Sequence, residues 1–242
     1  MDKKQSESVA DIGSRPEAQS PFPRVAGTAL NLLSLEQAGL AFARMRPLNV
    51  APGDVVIRQG ERGDQYFLLE AGEAEVWRTD PISEETALAA VLGPGSVFGE
   101  EALLMDGFRN ATVRMRSAGR VWTLDKTDFN ALVRPELVET ISAAEAHALV
   151  ASRAAQWLDC RYEMEFTEHH IPGARHVPLD QLRERTHELD PAKTHVVYCH
   201  GGRRSNCAAY LLRERGIQAL SLTGGIQEWP YETQAVEKTE LA

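Results

Sequence analysis

The sequence has few cysteines and no long hydrophobic run. Only three of its 242 residues are cysteine, which suits a reducing compartment and excludes a scaffold held together by disulfides. No apolar stretch approaches the ~20 residues that a membrane-spanning helix needs, and no apolar core of a secretory signal follows the N-terminal residues. We therefore expect a cytoplasmic protein without a membrane partner.

Basic residues are also fewer than acidic ones. The formal net charge of −9 argues against a general nucleic-acid binder, and no helix-turn-helix pattern with a basic recognition helix follows the β-rich region. His169, His170 and His176 lie close together, but no cysteine or carboxylate pattern accompanies them, so we expect no metal and no required cofactor. The length allows two domains of ordinary size.

The texture of the chain changes twice. Residues 1–27 are polar and contain several prolines, which predicts a disordered tail. Residues 28–137 open with one or two short helices and continue as short β-rich runs separated by glycine turns, which predicts an all-β jelly roll with flanking helices. Residues 138–242 alternate strands with helices, which predicts an α/β domain with a mainly parallel sheet. The fold class is therefore multidomain.

Within the α/β region, the periodicity predicts strands at residues 156–159, 176–177, 196–198 and 219–222. Helices are predicted at residues 142–152, 179–184 and 205–215. Cys199 then follows directly after a buried strand. The carboxyl end of such a strand is where open α/β sheets place their ligands.

Cys199 opens a loop that is rich in glycine and arginine and leads into a helix. The loop residues are His200, Gly201, Gly202, Arg203, Arg204 and Ser205. Glycines let backbone N–H groups converge, a helix N-terminus adds partial positive charge, and the two arginines add full charges. Each of these features favours a thiolate and would hold a small anion beside it. The alternative is a buried structural cysteine, the role that we assign to Cys160 and Cys207.

This loop resembles that of the rhodanese family, the single-domain sulfurtransferases with Cys-x-x-Gly-x-Arg-Ser. Residues 157–161, 170–174 and 224–229 also resemble family motifs, and the resemblance covers about residues 138–232. It implies that Cys199 carries sulfur as a persulfide between a thiosulfate or persulfide donor and a thiol or cyanide acceptor. The loop residues 200–205 would bind substrate together with Asp159 and Arg161. The last two could instead form a buried pair that braces the loop.

Cysteine phosphatases offer a competing interpretation of the loop. They use a Cys-x5-Arg loop, in which the arginine has room to wrap a phosphate. Here the sixth position after Cys199 is Ser205, and Arg204 comes one residue too early. The shorter loop better suits a sulfur atom carried on the cysteine.

One interruption of the β-rich region carries groups that suit a nucleotide. A short helix is predicted after Gly99, and a loop bearing Arg109 follows it. Glycine and a helix N-terminus can present N–H groups to a phosphate, and Arg109 can pair with it bidentately. Glu100 can accept a hydrogen bond from a ribose hydroxyl. The alternative is a salt-bridged crossover in a plain jelly roll.

The same stretch resembles the phosphate-binding cassette of the cyclic nucleotide-binding domain family. Residues on that pattern are Phe98, Gly99, Glu100, Ala102, Leu103, Arg109, Ala111 and Thr112. The resemblance covers about residues 28–135 and implies cAMP or cGMP as a regulatory ligand. Glu100 would bind the ribose and Arg109 the cyclic phosphate, with Gly99, Ala102, Asn110 and Ala111 completing the site.

Three positions depart from the cassette: Glu101, Phe108 and Asn110. Glu101 would repel the phosphate if it pointed inward and would matter little if it pointed to solvent. The helix predicted at residues 126–133 is shorter than the helix that closes the ligand site in the family, and no flexible linker follows it. We therefore expect the junction between the domains to help cover the nucleotide. A second interpretation makes the rhodanese region a non-catalytic docking module, although docking does not need the intact Cys199.

Overall fold

The computed structural model describes residues 33–81 and 83–236. The tail predicted at residues 1–27 and the start of the predicted N-terminal helices lie outside these ranges. The first helix, α1, spans Leu35–Arg44 and begins at Ser34, whose hydroxyl accepts a hydrogen bond from the Gln37 N–H at 3.2 Å. Such a cap satisfies one of the N–H groups that a helix start leaves unpaired.

In the described part of the first domain, two four-stranded antiparallel sheets face each other, in the orders β1-β8-β3-β6 and β2-β7-β4-β5. The strands are β1 Arg46–Val50, β2 Val55–Ile57, β3 Gln65–Ala71, β4 Ala74–Thr79, β5 Thr86–Leu92, β6 Val97–Phe98, β7 Thr112–Met115 and β8 Gly119–Asp125. Side chains such as Phe67, Leu69 and Val121 fill the space between the sheets. The predicted all-β domain is thereby confirmed.

The sequence did not indicate strand β1. Its residues Arg46–Val50 are exposed except for the last, so they show no apolar alternation. The strand lies at the edge of its sheet and pairs with β8 in antiparallel fashion. Pro47 is tolerated there because an edge strand leaves one row of backbone groups unpaired.

A helical run connects the two domains. It consists of α3 (Lys126–Asp128), a π-helical turn (Phe129–Val133) and α4 (Arg134–Leu137). The sequence predicted an end near Pro135, but the proline lies in the first turn of α4, where no intrahelical N–H is needed. Phe129, Val133 and Leu137 are fully buried and anchor the run to the core.

The second domain contains a five-stranded parallel sheet in the order β11-β10-β12-β13-β9, as far as the described residues show. Its strands are β9 Thr140–Ile141, β10 Ala155–Asp159, β11 Arg175–His176, β12 Thr194–Tyr198 and β13 Ala219–Leu222. Its helices are α5 Ala143–Ala151, α6 Glu163–Glu168, α7 Leu182–Arg185 and α8 Arg203–Arg213. The predicted parallel α/β domain is confirmed.

Helix α6 was absent from the sequence-based prediction because EMEFTE shows no apolar stripe. Two features outside that periodicity stabilise it. Glu165 turns back to accept the Tyr162 N–H at 3.1 Å. Phe166 stacks between the rings of His170 and His176, at centroid distances of 4.0 and 4.4 Å.

The two domains share one hydrophobic core. Helix α2 (Glu100–Leu104) of the first domain packs against α8 of the second. Leu103 and Leu104 belong to the same buried cluster as Tyr210 and Leu211. Helices α2 and α8 are therefore in direct contact across the boundary between the domains. No helix in the described part of the chain is both long and apolar enough to cross a membrane.

Candidate functional sites

Cys199 lies at the carboxyl end of β12, where the loop to α8 closes around its sulfur. The N–H groups of Gly202 and Ser205 donate to Sγ at 3.2 and 3.4 Å, and the Ser205 hydroxyl lies 3.6 Å from it. Ser221 supports this hydroxyl at 2.9 Å. Gly202 has a φ of 93°, a conformation that side-chain-bearing residues rarely adopt, and it starts the helix. The loop therefore aims several donors at one sulfur atom.

These donors make Cys199 acidic. Its pKa is lowered to about 5, first by a hydrogen bond from the Cys160 thiol and then by Ser205 and Gly202, although burial opposes the shift. A thiol with this pKa is a thiolate at neutral pH. Since the thiolate is the nucleophilic form of cysteine, the site holds a group ready for attack.

The sequence-based interpretation missed the part that Cys160 plays. Parallel pairing sets Asp159 beside Tyr198, so the residues that follow them, Cys160 and Cys199, come to lie side by side. The Cys160 Sγ is also 3.2 Å from the Tyr198 carbonyl oxygen. Burial and the neighbouring Cys199 raise the pKa of Cys160 well above its usual value, so Cys160 stays a protonated donor. Only the strand register could have revealed this pairing.

The two loop arginines, Arg203 and Arg204, each lie close to a carboxylate outside the loop. Arg204 forms a bidentate ion pair with Glu165 of α6, with an Nη2–Oε1 distance of 2.7 Å. Arg203 is largely exposed and lies 3.9 Å from Asp106 of the first domain. That the two arginines favour the thiolate stays a prediction, because the pKa of Cys199 is lowered first by the Cys160 thiol and then by Ser205 and Gly202.

Asp159 and Arg161 form the buried pair that the sequence suggested. Their side chains are at most 1% exposed, and Arg161 Nη2 donates to Asp159 Oδ2 and to the His169 carbonyl, both at 2.6 Å. This geometry favours a bracing role, and the role in substrate binding stays a prediction. His200 and Gly201, by contrast, are exposed at the mouth of the loop.

The closing glycine motif holds the loop from behind. The Ile226 N–H donates to the Cys199 carbonyl at 2.8 Å, and the Gln227 N–H donates to the His200 carbonyl at 3.0 Å. Gly225, with a φ of 60°, passes so close that a Cβ there would collide with both carbonyl oxygens. Glycine at this position is therefore what allows the loop to be held tightly.

A second site lies beside the sheet β2-β7-β4-β5 of the first domain. A cavity of about 270 Å³ is lined by all six residues that the sequence assigned to a nucleotide: Gly99, Glu100, Ala102, Arg109, Asn110 and Ala111. This volume is near the lower end of small-molecule sites. Gly99 has a φ of 89°, and a Cβ there would come within 2.8 Å of Arg109 Nη1. The glycine therefore leaves room for the guanidinium group.

Arg109 is held rigidly at this cavity. Its side chain is buried and donates to the carbonyl oxygens of Gly99 at 2.8 Å and Gln65 at 2.7 Å. Asp64 lies 3.6 Å from Nη2. A guanidinium fixed in this way needs little reorganisation to bind an anion, which agrees with its predicted role on a phosphate.

Glu100 brings an unsatisfied group to the same cavity. Its Oε2 is buried and has no hydrogen-bond partner within the described part of the chain. Burial, and next the nearby Glu101, raise the pKa of Glu100 to about 8. A buried oxygen without a partner is costly, and a ligand hydroxyl could satisfy it. The residue thus fits its predicted contact with a ribose.

Glu101 lines the cavity instead of pointing to solvent, and its side chain is only 15% exposed. It forms an ion pair with Arg183 of the second domain, and its Oε2 accepts from Asn110 Nδ2 at 2.7 Å. Arg183 itself lines the cavity. Sequence analysis missed Arg183, because no local signal links two residues that are 82 positions apart.

Comparisons with known proteins match each of the two domains to a family. The family described as "Cyclic nucleotide-binding domain" matches residues 47–136, and the family described as "Rhodanese-like domain" matches residues 142–232. The chain is 44% identical over 88 residues to the cAMP-dependent protein kinase regulatory subunit of Yarrowia lipolytica, which covers 36% of this chain and 22% of that protein. The chain thus spans about a fifth of the length of this curated relative.

Two further proteins resemble the second domain. The uncharacterized protein YqhL of Bacillus subtilis is 37% identical over 94 residues, covering 38% of this chain and 73% of that protein. The crystal structure of a rhodanese-related protein from Thermoplasma volcanium matches with 29% identity and a TM-score of 0.38, covering 41% of this chain and 99% of that one. The chain joins a member of the cyclic nucleotide-binding domain family to a member of the rhodanese-like domain family, in that order.

Proposed function

We propose that this chain is a rhodanese-type sulfurtransferase whose activity is regulated by a cyclic nucleotide. The observation that carries the proposal is the ring of donors around Cys199, with amide distances of 3.2 and 3.4 Å. A cysteine kept only for packing needs no such ring. The transferred sulfur atom, bound to Cys199 as a persulfide, would be stabilised by the same donors.

The transfer proceeds in two steps. The Cys199 thiolate attacks the outer sulfur of thiosulfate, the S–S bond of the donor breaks, and sulfite leaves with the electron pair. A thiolate or cyanide acceptor then attacks the outer sulfur of the persulfide, which restores the Cys199 thiolate. This is covalent catalysis with ping-pong kinetics. The N–H groups of Gly202 and Ser205 stabilise the negative charge in both steps.

The regulatory half of the proposal rests on the cavity of the first domain. Arg109 supplies a fixed guanidinium for a cyclic phosphate, and the unpartnered Oε2 of Glu100 suits a ribose hydroxyl. Helix α8 offers a route between the sites, because it begins at the Cys199 loop and its Tyr210 bonds Glu214, whose charge acts on Glu100. The three free cysteines suit the cytoplasm as the place of action.

The decisive experiment treats the protein with thiosulfate and measures its intact mass. We expect a gain of one sulfur atom on the wild type and on Cys207→Ser, and none on Cys199→Ser. Cys207 is a suitable control because burial raises its pKa well above the usual range. A wild type that gains no sulfur and turns over no thiosulfate would instead favour a non-catalytic module whose rhodanese domain docks a partner.

Regulation needs its own measurement. Thiosulfate:cyanide turnover is followed with and without saturating cAMP or cGMP, in the wild type and in Arg109→Ala. Coupling energies of about 1–3 kcal/mol would change donor affinity about fivefold or more, and linkage requires the same factor on nucleotide affinity. Identical kinetics with bound nucleotide would leave the transferase assignment intact and reject regulation.

A further inference from the structure

Arg183 belongs to the rhodanese domain but lies at the cavity of the other domain. It sits on α7 (Leu182–Arg185) and lines the cavity together with Gly99 and Arg109. Its ion pair with Glu101 joins the domains, and both side chains are mostly buried, with exposures of 31% and 15%. The wall of the nucleotide cavity is therefore incomplete without the second domain.

The partner of Arg183 is Glu101, whose unpaired negative charge would oppose the binding of an anionic nucleotide. Glu101 lines the same cavity as Arg109. The side-chain amide of Asn110, the residue after Arg109, donates to Oε2 of Glu101 at 2.7 Å. Its carboxylate is thus close to the place where Arg109 would hold a phosphate. Two negative charges within several ångströms of each other in a partly buried site repel each other strongly.

The other groups around Glu101 do not remove this charge. Cys207 Sγ lies 3.9 Å from Oε2 and remains protonated because burial raises its pKa. Glu100 and Glu214 are acids whose pKa values are themselves raised, first of all by burial. Among the described residues packed around Glu101, Arg183 is the cation that forms an ion pair with it.

We propose that Arg183 is a positioning residue of the nucleotide site, supplied by the rhodanese domain, which neutralises Glu101 so that the cavity accepts an anionic cyclic nucleotide. The inference rests on the proposed nucleotide binding and extends it. According to this inference, the cavity binds the anionic nucleotide tightly only when the rhodanese domain is docked and supplies Arg183. A neutral nucleoside, which lacks the phosphate, is not subject to the same requirement.

The experiment compares cAMP with adenosine, and cGMP with guanosine, by calorimetric titration of the full chain. We expect Arg183→Ala to weaken cyclic nucleotide binding about tenfold or more and to leave nucleoside binding within about twofold. Adding Glu101→Gln to Arg183→Ala should restore most of the lost affinity. Arg185→Ala is the matched control, because Arg185 lies on the same helix but pairs with Glu188 at 2.6 Å.

Glu101→Gln alone provides a second variant, should Arg183→Ala fail to fold. It removes the negative charge, leaves Arg183 free to attract the phosphate and should tighten cyclic nucleotide binding, again without changing nucleoside affinity. Unchanged cyclic nucleotide affinity in both single variants, or equal losses for nucleotide and nucleoside, would overturn the role of Arg183. A wild type that binds no cyclic nucleotide would instead refute the regulatory part of the proposed function.

Discussion

The guanidinium of Arg204 forms a bidentate ion pair with the carboxylate of Glu165, which lies 39 residues earlier on helix α6. The hydrogen bonds from Arg204 lower the pKa of Glu165 to about 2, so the pair stays ionised throughout the neutral range. Arg204 also lies over the ring of Tyr162, 5.3 Å from its centroid. The electrostatic effect of this loop arginine on Cys199 is therefore set by α6 as well as by the loop itself.

This ion pair predicts opposite effects for its two members. Wild-type Cys199 should be alkylated by iodoacetamide with a midpoint near pH 5, the value to which its pKa is lowered. Glu165→Gln should shift the midpoint to lower pH, because the positive charge of Arg204 is no longer balanced. Arg204→Ala should shift it to higher pH, because a carboxylate remains without its cation. The alkylation rate measured against pH tests both variants, and profiles that coincide with the wild-type profile would show that the charge of Arg204 does not affect the Cys199 thiolate.

A methyl group at position 225 should disturb the Cys199 loop. In Gly225→Ala the new Cβ meets the carbonyl oxygens of Cys199 and His200 at a positive φ. We expect unfolding to require about 1–3 kcal/mol less free energy and sulfur transfer to fall about tenfold. Gly39→Ala is the control, since nothing lies within 4 Å of its added methyl and alanine favours a helix. Full activity of Gly225→Ala would contradict the tight loop.

Removing the guanidinium of Arg109 should weaken nucleotide binding. A charge-assisted hydrogen bond is worth about 1.5–3 kcal/mol, so Arg109→Ala should lose about ten- to a hundredfold in affinity for cAMP or cGMP. Arg116→Ala removes an arginine that is 58% exposed and pairs with Glu73, so its affinity should match the wild type. Calorimetric titration measures the nucleotide affinity of each variant. Equal affinities of Arg109→Ala and Arg116→Ala would show that Arg109 does not bind the phosphate.

Glu100 should make the stability of the fold depend on pH. Its folded-state pKa of about 8 lies above the ordinary value of 4.5, so on raising the pH the unfolded chain loses this proton first. The free energy of unfolding should then fall between about pH 5 and pH 8, by at most about 1.4 kcal/mol per pH unit from this group. Glu100→Gln should flatten that fall. Urea unfolding at several pH values measures this dependence. If the unfolding free energies of the wild type and of Glu100→Gln fell in parallel with pH, the raised pKa of Glu100 would be refuted.

Features that are local along the chain could be predicted from the amino-acid sequence. The backbone donors to Cys199 Sγ belong to Gly202 and Ser205, three and six residues away, on a loop that a strand end, a glycine turn and a helix start define. The same holds for Gly99, Glu100 and Arg109, which a short helix and one loop bring to one cavity. Backbone conformation alone brings these groups together.

Charges and thiols that are far apart in the sequence are brought together by the tertiary structure, and no local pattern indicates these pairs. The pairs Cys160 with Cys199, Glu165 with Arg204, and Glu101 with Arg183 join different strands, helices or domains. An arginine in the sequence shows that a charge is present but not which carboxylate neutralises it. Strand register and the packing of α2 on α8 set those distances, because they depend on how the apolar faces of separate elements bury one another.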